Sequence, residues 1–488
     1  MLQRLTIQRV ALVILFALVF AMATRAPLDT DTWWHLRSGE HILTHRAVPY
    51  TDPFSHTMYG APWLDHSWGS QIVLAVVWRL GGDAGLALFT ALVATAGMGF
   101  VYAMCAGSVY VRAFSVALGA AAAAVFWSAR PQMLSFLLSA VVLYLLYLHK
   151  RAGRDRLLLI PLVMLLWVNL HGGFAIGFIL LLGAIAGEAL GNLLRWGDAE
   201  HVVSWAGVRR LVLVTALSAA AVCVNPYGPQ MLAYPFRTVG IGALQDFIQE
   251  WASPNFHERQ MWPFAFLLLA VYAAAGLSRR RLDWTDLVLT AGTAFLALTA
   301  ARNIAVFAVV ATPVLTRHVD AILDERGWQV RPQAAARGAM RWVNLALLVL
   351  ILLGAALKVA GELAPRAVRQ AQEAALPVRA AAWLSAARPE GKMFNSYNWG
   401  GYLMFAVPDY PVYVDGRTDL YDDTFLRAFL NAWRGLPGWE ETLNEYDIGF
   451  VVIESGGLMA NAMRHDAGWA VAYEDEQAVV FVRAEANP

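Results

Sequence analysis

The segment LDTDTWWHLRSGEHILTHRAVPYTDPFSHTMYGAPWLDHSW, residues 28–68, concentrates groups that bind cations or move protons. It carries Asp29, Asp31, Asp52 and Asp65 together with His35, His41, His45, His56 and His66, five of the chain's eleven histidines. Carboxylates are ligands for hard cations and imidazole titrates near neutrality, so this density suits metal binding or proton transfer. Asp29 and Asp31 are two residues apart, and in extended backbone both side chains point one way. Two carboxylates on one side can share a divalent cation, which can in turn neutralise a phosphate. A solvated polar loop beside a membrane explains the same residues without chemistry, and an Asp-x-Asp alone does not separate the two. Inside the segment, WWHLRSGEHIL has helical spacing and is expected to lie along a membrane interface with its tryptophans at headgroup depth.

The rest of the chain must supply that membrane. Of 488 residues 58% are hydrophobic and 15% charged, against about 45–50% and 25% in soluble domains. The net charge, 37 − 36 = +1, offers no basic excess for nucleic acid, and none is expected as a partner. Apolar runs near 8–24, 85–107, 112–128, 131–148, 156–171, 173–194, 208–224, 262–278, 284–300, 303–318 and 340–361 predict a polytopic helical protein. Eleven spans are favoured within a range of eleven to thirteen. A twelfth run, 67–81, is amphipathic at its start and shorter than the roughly 20 residues a span needs. It is expected to lie in the interface or to enter only partway.

Basic residues fix the orientation, because they are retained on the cytoplasmic side. Arg4 and Arg9, Lys150 to Arg156, Arg195 to Arg210, Arg279 to Arg281, and Arg317 to Arg341 all fall on one side if eleven helices span. The N-terminus is then cytoplasmic, and loops 25–66 and 225–261 and the tail face outward. Ala21-Met22-Ala23 resembles a signal-peptide cleavage site, but a retained anchor is more natural ahead of so many helices. Glu188, late in its helix, is expected to reach the cytoplasmic headgroups. Cys105 and Cys223 lie in apolar runs and are expected to be inert thiols.

Residues 1–362 are thus the membrane domain, and 363–488 are expected to form a separate soluble domain. There MFNS (393–396), PVYVDG (411–416), IGFVVIES (448–455), WAVAYED (469–475) and AVVFVRA (478–484) read as strands, and 377–387, 423–434 and 457–465 as helices. That alternation predicts a small α/β fold with its own core.

Further polar residues stand at the outward ends of the helices. Asn169 and His171 precede Gly172-Gly173, where a hairpin turn accounts for the glycines and His171 either faces water or binds substrate. Glu250 and Trp251 lie in the second large loop, within reach of a common cavity. Arg302 sits at the outer membrane edge against the positive-inside bias, so it needs a partner, either a lipid phosphate or a nearby carboxylate.

In order and topology these features resemble GT-C glycosyltransferases. The pattern Asp31-x3-His35 … Ile42-Leu43 … Val48-Pro49 is similar to the first outer loop of aminoarabinose and related lipid-linked sugar transferases. DTWWHLRSGEHIL, PYTDPFS, PWLDHSW, ARPQML, NLHGGF, VNPYG, EWASPNF, ARNIAVF, NWGGYL and VDGRTDLY resemble more closely a group of uncharacterised bacterial GT-C-like proteins, along the whole chain. The resemblance implies a multi-pass enzyme of the bacterial inner membrane with a polyprenyl-phosphate sugar as donor. Asp31 matches the family's loop carboxylate, a general base or metal-organising group, with Asp29 assisting. Asp65 and His66 stand where relatives place a second acidic or metal-binding group, so a divalent ion is an expected cofactor. Several relatives carry another carboxylate where this chain has Arg130-Pro131-Gln132. That departure opposes a metal-dependent mechanism and offers Arg130 as a phosphate ligand. NWGGYL is loosely similar to the acceptor motif of oligosaccharyltransferases without its central aspartate, leaving Asp415, Arg417 and Asp419 as acceptor-site candidates. A non-catalytic GT-C-like binding protein and a lipid-linked sugar flippase are the alternatives. A flippase would place polar groups deep in several helices, and few are found there.

Overall fold

The computed structural model describes residues 6–194, 201–239, 242, 250–328 and 339–484. Arg4, Arg195, Arg331 and Arg337, used above for orientation, lie outside the described residues, as does part of the loop 225–261.

The helices follow the apolar runs. They are α1 (Ile7–Ala23), α2 (Asp31–His45), α3 (Trp68–Met104), α4 (Val109–Ala123), α5 (Gln132–Arg151), α6 (Ile160–Leu170), α7 (Ala175–Leu194), α8 (Trp205–Val222), α9 (Gln230–Val239), α10 (Trp262–Leu277), α11 (Trp284–Thr299), α12 (Ile304–Glu325) and α13 (Met340–Glu362). Among the described residues eight helical stretches are long and apolar enough to cross a membrane. Three shorter apolar ones, Ile7–Ala23, Leu157–Leu170 and Trp284–Thr299, complete the expected eleven. The protein is a multi-pass membrane protein.

The doubtful run 67–81 is the first limb of α3. The whole helix has 37 residues, and straight it would measure about 55 Å, nearly twice the ~30 Å of a hydrocarbon core. It breaks at Gly82, whose φ of 54° and ψ of −143° are non-helical and suit a residue without Cβ. The first limb packs closely on the amphipathic helix α2: a Cβ added to Gly39 would lie 2.1 Å from the Gln71 carbonyl oxygen.

Two buried apolar clusters hold the bundle. The larger joins α1, α3, α4, α10 and α12 through residues such as Met98, Val116, Phe264 and Phe307. The other centres on Trp167 between α5, α6, α7 and α8. Glu188 does not reach headgroups. It is 2% exposed, pairs with Lys150 and accepts a hydrogen bond of 2.7 Å from Thr285 Oγ1.

The tail continues through α14 (Pro365–Ala375) and α15 (Val378–Ala387) to β1 (Lys392–Asn395), α16 (Tyr397–Ala406), α17 (Asp423–Trp433), α18 (Trp439–Glu445), β2 (Ile448–Glu454), α19 (Leu458–Met463), β3 (Trp469–Glu474) and β4 (Ala478–Arg483). The sheet order is β1-β2-β4-β3, with β1 parallel to β2 and the other pairs antiparallel. β2 reads as a continuous apolar run because helices cover both its faces. Phe450 and Val452 meet α15 and α16, while the alternate residues Val451 and Ile453 meet α17, α18 and α19.

Residues 411–416 do not form the fifth strand expected of them. Val412 makes a single bridge with Ser55 of the first outer loop. Trp34, Phe54 and Trp63 from that loop join the same apolar cluster as Phe450 and Val452, so the tail shares its core with the loop.

Candidate functional site

Asp31 is the first residue of α2, and Asp29 Oδ1 accepts a hydrogen bond of 3.0 Å from its backbone N–H. A carboxylate at a helix N-terminus is favoured by the orphan amides and the helix dipole there. Both carboxylates face one direction, though through a helix start rather than through the extended backbone expected. What they face is Arg130, in the short link before α5, where Pro131 disfavours helical backbone in the preceding residue.

Asp29, Asp31 and Glu250 all converge on the Arg130 guanidinium. Nη2 lies 2.9 Å from Asp31 Oδ2, and Nη1 lies 3.1 Å from Asp29 Oδ2 and 2.7 Å from Glu250 Oε1. Glu250 is placed by a short backbone pairing, in which Arg302 N donates to Glu250 O at 3.1 Å and Ala301 N to Ala252 O at 2.9 Å. The same pairing seats Arg302 over the Trp251 indole, with Cζ 4.4 Å from the ring centroid. Among the described residues Arg302 has no carboxylate within ion-pair distance. Its partner is therefore aromatic, and its guanidinium keeps its donors.

Electrostatics divides the roles. Burial raises the Asp31 carboxyl to about 7 against the pull of Arg130, and Asp29 and Glu250 add to the rise. Arg130 holds Glu250 below the usual carboxylate range. Burial pushes His66 down to about 4 and pushes His171 well below its ordinary value, so both are neutral imidazoles. His171 Nδ1 accepts from Gly173 N at 3.1 Å and lies 2.7 Å from Ser135 Oγ, which itself accepts from Trp167 Nε1 at 2.7 Å. That chain assigns the ring proton to Nε2, a neutral donor.

These groups line one cavity of about 770 Å³ between the membrane domain and the tail. Asp29, Asp31, His66, Arg130, His171, Glu250, Trp251 and Arg302 are all on its wall. The tail closes it with Ser396, Tyr397, Asn398, Gly416, Thr418, Asp419 and one face of α17. Gly416 comes so near that an added Cβ would lie 1.9 Å from Asp31 Oδ1.

Asp415 and Arg417 are elsewhere. Both side chains are fully buried and paired with each other, and Arg417 also pairs with Asp52 of the first loop. Arg417 Nη1 reaches Asp52 Oδ1 at 2.5 Å, Nη2 reaches Asp415 Oδ2 at 2.7 Å, and the Tyr421 hydroxyl donates to Asp415 at 3.0 Å. They form the seam that fixes the turn bearing Gly416. Asp65 is also off the wall: its Oδ1 accepts from Gln71 Nε2 at 2.7 Å, and burial raises its carboxyl to about 7.

The residues present do not fit the expected divalent ion. The three convergent carboxylates are engaged by Arg130, Asp65 is turned to Gln71, and His66 Nδ1 lies 2.6 Å from Ser67 Oγ. Among the described residues no group of three or more His, Cys, Asp or Glu side chains is arranged to hold a metal ion.

The motifs did not point to Tyr234, Tyr397 or Trp433. The signal for Trp433 was the i, i+3, i+4, i+7 stripe Leu426, Phe429, Leu430, Trp433, whose Leu430 and Trp433 end is only partly buried and faces the cavity.

Solved structures share this architecture. The chain is similar to an oligosaccharyltransferase of Archaeoglobus fulgidus, with a TM-score of 0.55 at 12% identity, covering 98% of this chain and 75% of that one. It is similar to ArnT of Cupriavidus metallidurans bound to undecaprenyl phosphate, with a TM-score of 0.51 at 14% identity and 98% of each chain covered. It is also similar to the arabinofuranosyltransferase AftD from mycobacteria, with a TM-score of 0.50 at 15% identity, covering 98% of this chain and 40% of that one. No family model and no curated protein matches the chain. The chain shares the fold of these glycosyltransferase structures, as the resemblance implied.

Proposed function

We propose that this chain moves a sugar from a polyprenyl-phosphate donor to an envelope lipid, glycan or protein acceptor at the outer face of a bacterial inner membrane. The observation that carries the reading is one cavity lined by both a carboxyl poised near neutrality, Asp31, and a guanidinium, Arg302, that forms no ion pair among the described residues. A cavity of about 770 Å³ lies within the roughly 300–1,000 Å³ usual for ligand sites. The ArnT neighbour binds undecaprenyl phosphate in this fold.

The chemistry follows from the groups. The acceptor nucleophile attacks the anomeric carbon and passes its proton to Asp31. The bond from that carbon to the phosphate oxygen breaks, and the electron pair leaves with polyprenyl phosphate. Arg302 and the His171 Nε2–H supply donors to the phosphate as its charge develops. Thr418 and Asp419, beside Gly416, present polar groups to the acceptor side.

The orientation belongs to the same proposal: N-terminus in the cytoplasm, tail domain outside. A reporter fused after Glu485 should behave as extracytoplasmic, and cytoplasmic behaviour would overturn the assignment of this face. The enzymatic test is the purified protein in lipid bilayers with a panel of polyprenyl-phosphate sugars, scored for release of free polyprenyl phosphate. Loss of one lipid-linked glycan product in a deletion strain identifies the acceptor. Failure to bind polyprenyl phosphate at all would sink the reading.

A further inference from the structure

Three carboxylates held at one point repel each other, and a cation among them offsets that repulsion. Asp29 and Asp31 come from the start of α2, and Glu250 comes from a loop more than 200 residues later. Their oxygens lie 2.7–3.1 Å from the two terminal nitrogens of Arg130. That convergence sets one guanidinium at the point where three carboxylates meet.

We infer that Arg130 is the site's built-in cation, and that the protein neither binds nor uses a divalent metal at this cluster. The part about transfer rests on the proposed function, while the part about the cluster does not.

Two consequences distinguish a guanidinium from a dication. Arginine carries a single charge against three carboxylates, so the cluster keeps a residual negative charge that resists a phosphate. The donor phosphate is thereby directed to Arg302 and His171, which among the described residues have no carboxylate at ion-pair distance, and away from Arg130, whose Nη1 and Nη2 each already face a carboxylate. A dication would also pull Asp31 far down, whereas beside Arg130 the carboxyl remains near 7, where a general base is most effective.

The test is Mn²⁺ binding to the full-length protein in detergent, followed by electron paramagnetic resonance. Wild type should bind no Mn²⁺ that depends on Asp31 or Glu250. Arg130→Ala frees the three carboxylates and should gain one Mn²⁺ site, which Arg130→Ala combined with Glu250→Gln should lose. A folded Arg130→Ala protein that gains no site would show that the carboxylates are not held as a cation cradle. A stoichiometric Mn²⁺ site in wild type, lost in Asp31→Asn, would overturn the inference, and this arm decides the matter even if Arg130→Ala does not fold. In transfer assays, turnover should be the same with a chelator and with added Mn²⁺, and loss of turnover in the chelator would also overturn it. If the Mn²⁺ results hold while no polyprenyl-phosphate sugar is turned over, the transferase reading fails and the assignment of Arg130 stands.

Discussion

The protein buries charge at both ends of its helical bundle, and the two clusters are built differently. At the basic end, Lys150, Arg151 and Arg317 meet Glu188, Asp283 and Asp286, three charges of each sign. Lys150 lies 3.0 Å from Asp283, Arg151 2.9 Å and Arg317 2.8 Å from Asp286, around a void of only about 60 Å³. At the tail end, one Arg130 faces three carboxylates on the wall of a cavity of about 770 Å³. A balanced, closed cluster spends its desolvation cost on tying α5, α7, α11 and α12 together. An unbalanced, open one leaves a carboxyl titrating near neutrality beside space for a substrate. Burial of charge alone does not mark a site, whereas imbalance beside a cavity does.

The largest effect expected is at Asp31. Asp31→Asn keeps shape and removes the base, and general-base catalysis contributes about 10²–10⁴-fold. Transfer per folded molecule should fall by that factor, and a variant that complements a deletion strain as well as wild type would collapse the contrast between the two ends. Gly416→Ala comes next. Its Cβ would lie 1.9 Å from Asp31 Oδ1, so one of the two must move, and a displacement of about 1 Å at a reacting group can cost roughly 10²-fold. Wild-type turnover in Gly416→Ala would show that Asp31 is not held by the tail. Arg302→Gln should weaken polyprenyl-phosphate binding roughly 10- to 100-fold, the range for a lost charged hydrogen bond, with little effect at saturating donor. Unchanged affinity in Arg302→Gln would move the phosphate elsewhere.

Legibility followed the range of the interactions. Local periodicity was enough for the spans, since every apolar run became a helix, and for α2, whose apolar stripe and acidic first turn are written in consecutive residues. Asp29 and Asp31 stood out because two residues carry the whole signal. The partner they share did not: Arg130 is about a hundred residues away, and its type read as a phosphate ligand until its three neighbours were known. The pairing of Asp52 with Arg417 spans 365 residues and was hidden for the same reason. Asp415 and Arg417 stood as acceptor-site candidates through a loose motif similarity, yet this turn is buried under the first loop. NWGGYL lies in helix α16, and Gly401 lets that helix approach α2, where a Cβ would lie 2.7 Å from the Thr30 carbonyl oxygen.

A smaller effect separates the clusters by pH. Burial raises the folded-state value of Asp31 to about 7, so the carboxylate that accepts a proton is present above that pH and is lost as pH falls through it. Transfer should decline about tenfold per unit below the midpoint, as a single titrating base requires. A flat profile between pH 5 and 8, with the protein folded throughout, would remove Asp31 from the proton path.

The smallest effect on transfer is expected where the disruption of structure is greatest. Lys150→Met leaves Glu188 and Asp283 without their shared cation, in a region where their side chains are only 2% and 3% exposed. Breaking one partner out of a buried pair costs about 3–5 kcal/mol, because the remaining charges stay buried and uncompensated. The loss should appear as a lower unfolding temperature in detergent and a lower yield of inserted protein. Glu188 also accepts from Thr285 Oγ1 at 2.7 Å and from Val203 N at 2.8 Å, so part of the cluster survives and the bundle should still assemble. Donor affinity and turnover per folded molecule should match wild type, since no residue of this cluster lines the large cavity. If Lys150→Met instead lowers turnover in molecules that remain folded, the two ends are coupled, and charge balance no longer separates a structural cluster from a functional one.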